Sequence, residues 1–146
     1  MKALTISAVV AVTCGLSAGL GAQGNASDPC GNKETAIETR ECYTREQTRV
    51  NAEADKLATS LAADMRKQAE DAALGAAASD LLRKGAAALL QSQTTWKSYR
   101  DQHCQAVAFS FTTGSGAGTA HESCLLQLAQ TRMSELKAAF NSPVAK

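Results

Sequence analysis

The sequence WKSYRDQHC, at residues 96–104, concentrates the rare side chains of this chain. It holds the only Trp, one of two Tyr, one of two His and one of five Cys. The residues upstream, beginning with Leu89, indicate a helix. On a helix, Trp96, Arg100 and Cys104 recur every four residues and therefore share one face. Because an Arg on such a face needs a polar partner and the Cys needs a bonding partner, this stretch predicts a structural role.

Upstream of this stretch, the apolar residues recur at three- and four-residue steps, which is typical of helices packed in a bundle. Thr35 and Glu38 form a capping box that begins the first long helix. A turn is expected at 75–78, with Ser79 at the N-cap of a second helix over about 80–111. The inward stripe of this second helix is expected to consist of Leu82, Leu89, Gln93, Trp96, Arg100, Cys104, Val107 and Phe111.

Downstream, the composition of residues 112–118, rich in Gly, Ser and Thr, predicts a loop. Thr119 and Glu122 form a second capping box, which is expected to open the last helix. Residues 141–143 end it. The sequence therefore predicts an all-α fold, a small helical bundle of two long helices plus a C-terminal helix.

The first residues are typical of a secretory signal peptide. Lys2 precedes a short apolar run, and small residues follow up to Ala22, where cleavage is expected, with Ala26 as the alternative. The apolar run is too short for a spanning helix, which needs about 20 residues. The expected division is a signal peptide at 1–22, a mobile lead-in segment at 23–34, a helical domain at 35–141 and a tail at 142–146.

The net charge of the mature chain disfavours some classes of function. Removing Lys2 with the signal peptide leaves 14 of the 15 basic side chains against 14 acidic ones. A net charge near zero disfavours nucleic-acid binding and polybasic membrane attachment. Cys14 follows Thr13 rather than the small residue usual before a lipidated Cys, so no stable membrane anchor is expected. The predicted location is the periplasm or the medium outside the cell.

Four Cys remain in the mature chain, and in an exported small domain an even number predicts two disulfides. Cys104 and Cys124 lie ten residues either side of Gly114. If the last two helices form a hairpin about that loop, these two sulfurs face each other, which leaves Cys30 to pair with Cys42. Four Cys allow three pairings, and the hairpin favours this one.

Two arginines, Arg100 and Arg132, fall on predicted inward stripes. The interpretation we favour is ion pairs with Glu38, Asp55, Asp101 or Glu122; the alternative is an anion site. Trp96 and Tyr99 could stack on sugar rings, and His103, Cys104, His121 and Cys124 could bind zinc, but an aromatic anchor and a disulfide are the simpler interpretations. The residues assigned to structure are Trp96, Tyr99, Arg100, Asp101 and Arg132.

The pattern of these residues resembles the LprI-like lysozyme inhibitor family. That family shows an early Cys, a T-x-x-E-x-x-x-C element, an L-x-x-A-Q-x-x-W-x-x-Y/F-R-D-x-x-C element, a Gly-Ser loop and a C-x-x-x-L-T-x-x-R-x-x-x-L helix. Two departures are Ser92 in place of Ala and Ala129 in place of Thr. The matching positions are Cys30; Thr35, Glu38 and Cys42; Leu89, Gln93, Trp96, Tyr99, Arg100, Asp101 and Cys104; Gly114 and Ser115; and Cys124, Leu128, Arg132 and Leu136.

The resemblance implies a binding protein that blocks a lysozyme and so protects peptidoglycan; the alternative is a structural or interaction protein of the cell envelope. No catalytic triad or phosphate-binding loop is found in the sequence, and the disulfide is favoured over zinc, so no enzymatic activity or cofactor is expected. A protruding loop can enter a cleft, and a hairpin disulfide would pre-organise it. The residues expected to contact the partner are Thr112, Thr113, Gly114, Ser115, Gly116, Thr119, His121 and Glu122.

Overall fold

The computed structural model describes residues 28–71, 73–111 and 116–141. They form three helices: α1 (Ala36–Gln68), α2 (Ala76–Ser110) and α3 (Gly116–Asn141), with no strand among the described residues. The predicted all-α bundle is therefore confirmed. The expected signal peptide and the tail lie outside the described residues.

Contacts between the helices define the topology, because each helix packs against both others. On α1, Asp55 bonds Lys97 of α2 and Asn51 bonds Arg100 of α2. The earlier residue of α1 thus meets the later residue of α2, so the two helices run antiparallel. Cys104 of α2 bonds Cys124 of α3, and Gln93 of α2 bonds Arg132 of α3, so these two helices are antiparallel as well. It follows that α1 and α3 run parallel.

The core is built largely from small side chains. Along α1, Val50, Ala54, Ala58 and Ala62 are buried at four-residue steps and leave room for close helix packing. Two clusters result, one nearer the start of α1 and one nearer its middle. The first contains Cys30, Cys42, Tyr43, Val50, Leu126 and Ala129, and the second contains Ala54, Ala58 and Leu136.

Gly85, which weakens α2 locally, has a packing reason. A Cβ at this position would lie 2.5 Å from Cε of Met65 on α1, so the bare backbone makes space for the Met side chain. Gly inside a helix costs about 1 kcal/mol relative to Ala, but a side chain at position 85 would require the flexible end of Met65 to move.

The two disulfides are those that the hairpin argument favoured. Cys104 bonds Cys124, and Cys30 bonds Cys42 with a Cα–Cα distance of 5.7 Å. Cys30 and Cys104 are fully buried, so each disulfide is part of the packing as well as a covalent link.

The capping box at Thr35 is confirmed. The backbone N–H of Glu38 donates to the Thr35 hydroxyl at 3.1 Å, and the Glu38 carboxylate accepts from the Thr35 backbone N–H at 3.1 Å. This reciprocal pair satisfies two of the free N–H groups at the start of α1.

Two expected helix starts are wrong. The turn predicted at 75–78 is helical from Ala76, with Gly75 at the N-cap, and Ser79 is buried inside α2 rather than capping it. Alanine is the strongest helix former, so the run Ala76–Ala78 extends the helix upstream. The last helix begins at Gly116, which places Thr119 inside its first turn instead of at its cap.

The described part of the lead-in segment is tied to α1. The Asp28 carboxylate accepts from the Cys30 backbone N–H at 3.0 Å and from the Tyr43 hydroxyl at 2.5 Å. Together with the Cys30–Cys42 disulfide, these bonds hold the chain before α1 against that helix.

Tyr43 provides a pH-dependent test of this contact. Burial, and then the hydrogen bond to Asp28, raise the pKa of Tyr43 above its ordinary 10.0. The folded protein therefore keeps this proton at pH values where the unfolded chain releases it. The stability contributed by neutral Tyr43 is present below about pH 10 and is lost as pH rises through the raised pKa.

Tyr43→Phe has no proton to lose, so its stability should fall less steeply with pH above about pH 10 than that of wild type. Urea unfolding followed by circular dichroism at several alkaline pH values measures this slope. Tyr99→Phe, a change at an exposed ring, is the matched control. Equal slopes for wild type and Tyr43→Phe would contradict the assignment.

Candidate functional site

A polar seam joins the three helices near the middle of α2, and Gln93 is at its centre. Its residues are Asn51, Asp55, Ser92, Gln93, Lys97, Arg100 and Arg132. The side-chain NH₂ of Gln93 donates to Asp55 on α1 at 3.0 Å, and its side-chain oxygen accepts from Arg132 on α3 at 2.9 Å. Gln93 is 5% exposed, so an unsatisfied amide there would be costly. Lys97 also bonds Asp55, at 2.6 Å.

Trp96 lies between the two arginines of the seam. The guanidinium carbons of Arg100 and Arg132 are 5.2 Å and 5.9 Å from a Trp96 ring centroid. Both distances fall within the range of cation–π attraction. The ring also packs against the first core cluster. These contacts favour the interpretation of Trp96 as an aromatic anchor over that of a sugar-stacking residue.

The arginine partners differ in part from those expected. Arg100 pairs with Asp101 at 2.6 Å, as one of the expected pairs, and also donates to Asn51 at 2.5 Å. Arg132 pairs with none of the expected acids and bonds Gln93, Ser92 and Glu135 instead. The candidate Asp55 is used by Lys97, which lies one turn after Gln93 on α2.

The departure at Ser92 has a role in this seam. Its hydroxyl accepts a hydrogen bond from Nη2 of Arg132 at 3.0 Å, a bond that the Ala usual in the resembling family could not provide. Tyr99, also assigned to the structural group, lies at the surface of α2. Its side chain is 55% exposed, and its ring stacks on that of His103.

Because α1 and α3 are parallel and α2 is antiparallel to both, one end of the bundle gathers the start of α1, the end of α2 and the start of α3. We call its residues Ile37, Arg40, Phe109, Phe111, Gly118 and His121 the loop-end surface. Ile37 is 71% exposed, Phe109 73% and Phe111 48%. Exposed apolar side chains that lie together, as Phe109 and Phe111 do, mark interaction sites more often than scattered ones do.

A shallow concavity of about 460 Å³ lies on this end, between α2 and α3. His121 lines it beside Phe109 and Phe111, and its Nδ1 lies 3.5 Å from a carboxylate oxygen of the neighbouring Glu122. The other lining residues are Gln105, Ala108, Ala117 and Gly118. Such a surface offers an apolar contact with a polar rim, which is chemistry for binding.

Of the residues expected to contact a partner, Thr112–Ser115 lie outside the described residues. The first turns of α3 contain the other four residues, Gly116, Thr119, His121 and Glu122. Of these, His121 lines the concavity. Phe111, expected on the inward stripe of α2, is its C-cap and is half-exposed.

Sequence reasoning missed Phe109, Ile37 and Arg40 as surface candidates. One signal was available for the first of these. Two of the three Phe in the chain, Phe109 and Phe111, fall within three residues at the end of a predicted helix. Residues two apart on a helix do not share a face, so both could not belong to one buried stripe. No comparable signal marks Ile37 or Arg40.

A zinc site that uses the thiolates of Cys104 and Cys124 does not form, because these two sulfurs are bonded to each other. Among the residues that the structure describes, no group of three or more His, Cys, Asp and Glu is placed to hold a metal ion. Within the same part of the chain, no helix combines the length and apolar character needed to cross a membrane.

The fold defines a class, that of small all-α domains stapled by two disulfides. The chain belongs to the LprI lysozyme inhibitor family, whose model, described as lysozyme inhibitor LprI, matches residues 27–136. Neither the curated proteins nor the solved structures compared with the chain give a match.

Proposed function

We propose that this protein binds a lysozyme with its loop-end surface and blocks cleavage of peptidoglycan. Membership of the LprI family is the observation that carries the choice of lysozyme as partner, and inhibition rather than catalysis is what that family implies. The family and the two disulfides indicate an extracytoplasmic location. The signal peptide expected at residues 1–22 would take it there.

The geometry supports the loop end over the seam as the contact site. The seam's polar side chains bond one another, and the Trp96 ring is covered by two guanidinium groups. The loop end instead exposes Phe109 and Phe111. Aromatic anchors at the centre of an interface contribute most of its binding energy.

The Cys104–Cys124 disulfide supports the same choice. It joins the last turns of α2 to the first turns of α3, so it limits how far the two helix ends beside Phe109 and His121 can separate. Holding a binding surface in one arrangement before the encounter lowers the entropy lost on association.

A lysozyme-driven lysis assay with the oxidised mature chain tests the proposal. Slowed lysis at micromolar concentration, with one or more lysozyme types, is the expected result. No slowing with any type would favour the alternative, a structural or interaction protein of the envelope that does not contact lysozyme.

The site is tested by Phe109→Ser combined with Phe111→Ser. This double variant should bind the inhibited lysozyme at least about tenfold more weakly, because truncating an aromatic anchor costs upwards of about 1.4 kcal/mol. Leu81→Ser is the matched control, since Leu81 is 69% exposed near the other end of α2. If the two variants lost equal affinity, the loop end would not be the site.

A further inference from the structure

Arg40 occupies an unusual position on α1. Moving back along the core-facing stripe of this helix from Ala54 through Val50 and Tyr43, all buried, the next position is Arg40. An apolar residue would continue the core there. Arg40 is instead exposed, at the end of the bundle where the stripe meets the start of α3.

Gly118 of α3 positions this arginine. A Cβ at Gly118 would lie 3.2 Å from both Cζ and Nη1 of Arg40, closer than nearly all real contacts of that kind. The guanidinium therefore rests against bare helix backbone. A side chain at position 118 would require the Arg40 head group to move by a few tenths of an ångström.

The guanidinium of Arg40 has no carboxylate partner among the described residues. The next two arginines along α1 do have carboxylate partners. Arg45 lies 4.0 Å from Glu41, and Arg49 pairs with both Glu46 and Glu53 at 2.8 Å and 2.7 Å. Arg40 is thus an exposed cation whose guanidinium lies against Gly118 and which has no carboxylate partner in the part of the chain that the structure describes.

One apolar side chain, Ile37, lies beside Arg40 on the side of the loop end. A concavity of about 380 Å³ is lined by Arg40, Ile37 and Thr44 together with Glu41 and Arg45. An ion pair formed here against a partner would be removed from water by the exposed Ile37 side chain. Charge pairs desolvated in this way contribute more to an interface than pairs at its rim.

We propose that Arg40 binds an ionised carboxylate in the catalytic cleft of the lysozyme, an inference that rests on the proposed function. Glycosidases of this kind carry two carboxyl groups beside the scissile bond, one of them ionised. The planar fork of Arg matches a carboxylate with two parallel hydrogen bonds. Occupying that carboxylate would exclude the sugar ring that it must face.

Inhibition constants against the inhibited lysozyme test this assignment. Arg40→Gln should raise the constant about 30-fold, and Arg40→Lys should fall between this variant and wild type, because Lys keeps the charge without the fork. Arg66→Gln, which removes an exposed cation from the last turn of the same helix, at the other end of the bundle, is the matched control and should stay within about twofold of wild type. Circular dichroism melts establish that each variant is folded.

The second half of a double-mutant cycle uses a lysozyme whose ionised catalytic carboxylate is replaced by the corresponding amide. The effect of Arg40→Gln should shrink to about twofold or less against that enzyme, measured as a binding constant. An unchanged constant for Arg40→Gln with the native enzyme would overturn the inference and leave the proposed function intact. Absence of inhibition by the wild-type chain would overturn both.

Discussion

Replacing Trp96 with Ala should lower the free energy of unfolding by about 3 kcal/mol, the lower end of the range for truncating a large aromatic side chain in a core. Trp96 is half-buried against the first core cluster, and the guanidinium groups of Arg100 and Arg132 lie over its ring. The substitution removes apolar contacts and leaves both arginines without their cation–π contact.

Urea unfolding followed by far-ultraviolet circular dichroism measures this loss without needing the indole fluorescence. Tyr99→Ala is a closely matched control, since it removes an aromatic ring from the same helix three residues later, where the ring is exposed. That variant should stay within about 0.5 kcal/mol of wild type. Equal losses for the two variants would contradict the role of Trp96 as a core anchor.

Removing the Cys104–Cys124 disulfide by changing both residues to Ala should lower stability by about 3 kcal/mol. The crosslink spans 20 residues, and in the chain-entropy model a loop of this length restricts the unfolded chain by about that amount. The loss would be large beside the total stability of a small domain, which is on the order of 5–15 kcal/mol.

The same double variant should also weaken binding to the inhibited lysozyme at temperatures where it stays folded, because the crosslink holds together the helix ends beside Phe109 and His121. The matched control is Cys30→Ala with Cys42→Ala, whose crosslink anchors the chain ahead of α1. That control should lose stability but keep more of its affinity. If removing either disulfide weakened binding to lysozyme equally, the proposal that Cys104–Cys124 pre-organises the binding surface would be wrong.

Local patterns predicted those features that depend on a few neighbouring residues. The capping box of Thr35 and Glu38 needs only a hydroxyl and a carboxylate three residues apart, so it is visible in the sequence. The disulfide pairing followed from the symmetric spacing of Cys104 and Cys124 about one loop. The same kind of pattern misled at Thr119, where α3 begins three residues earlier at Gly116.

Partner choice within the seam depended on the crossing of the helices. Asp55 was one of four acids proposed for the arginines, but the antiparallel register places it beside Gln93 and Lys97 instead. Arg132 then bonds the amide of Gln93, a neutral partner that charge matching alone does not suggest.

For this protein, the sequence by itself determined the all-α class, the start of α1 and, through its motif elements, the resemblance to LprI inhibitors, because periodicity, capping and spacing are properties of nearby residues. The tertiary structure alone decided which end of the bundle exposes Phe109 and Phe111 and which residue of α3 lies against Arg40. Both depend on how helices far apart in sequence cross, and the contact of Arg40 with Gly118 joins residues 78 positions apart.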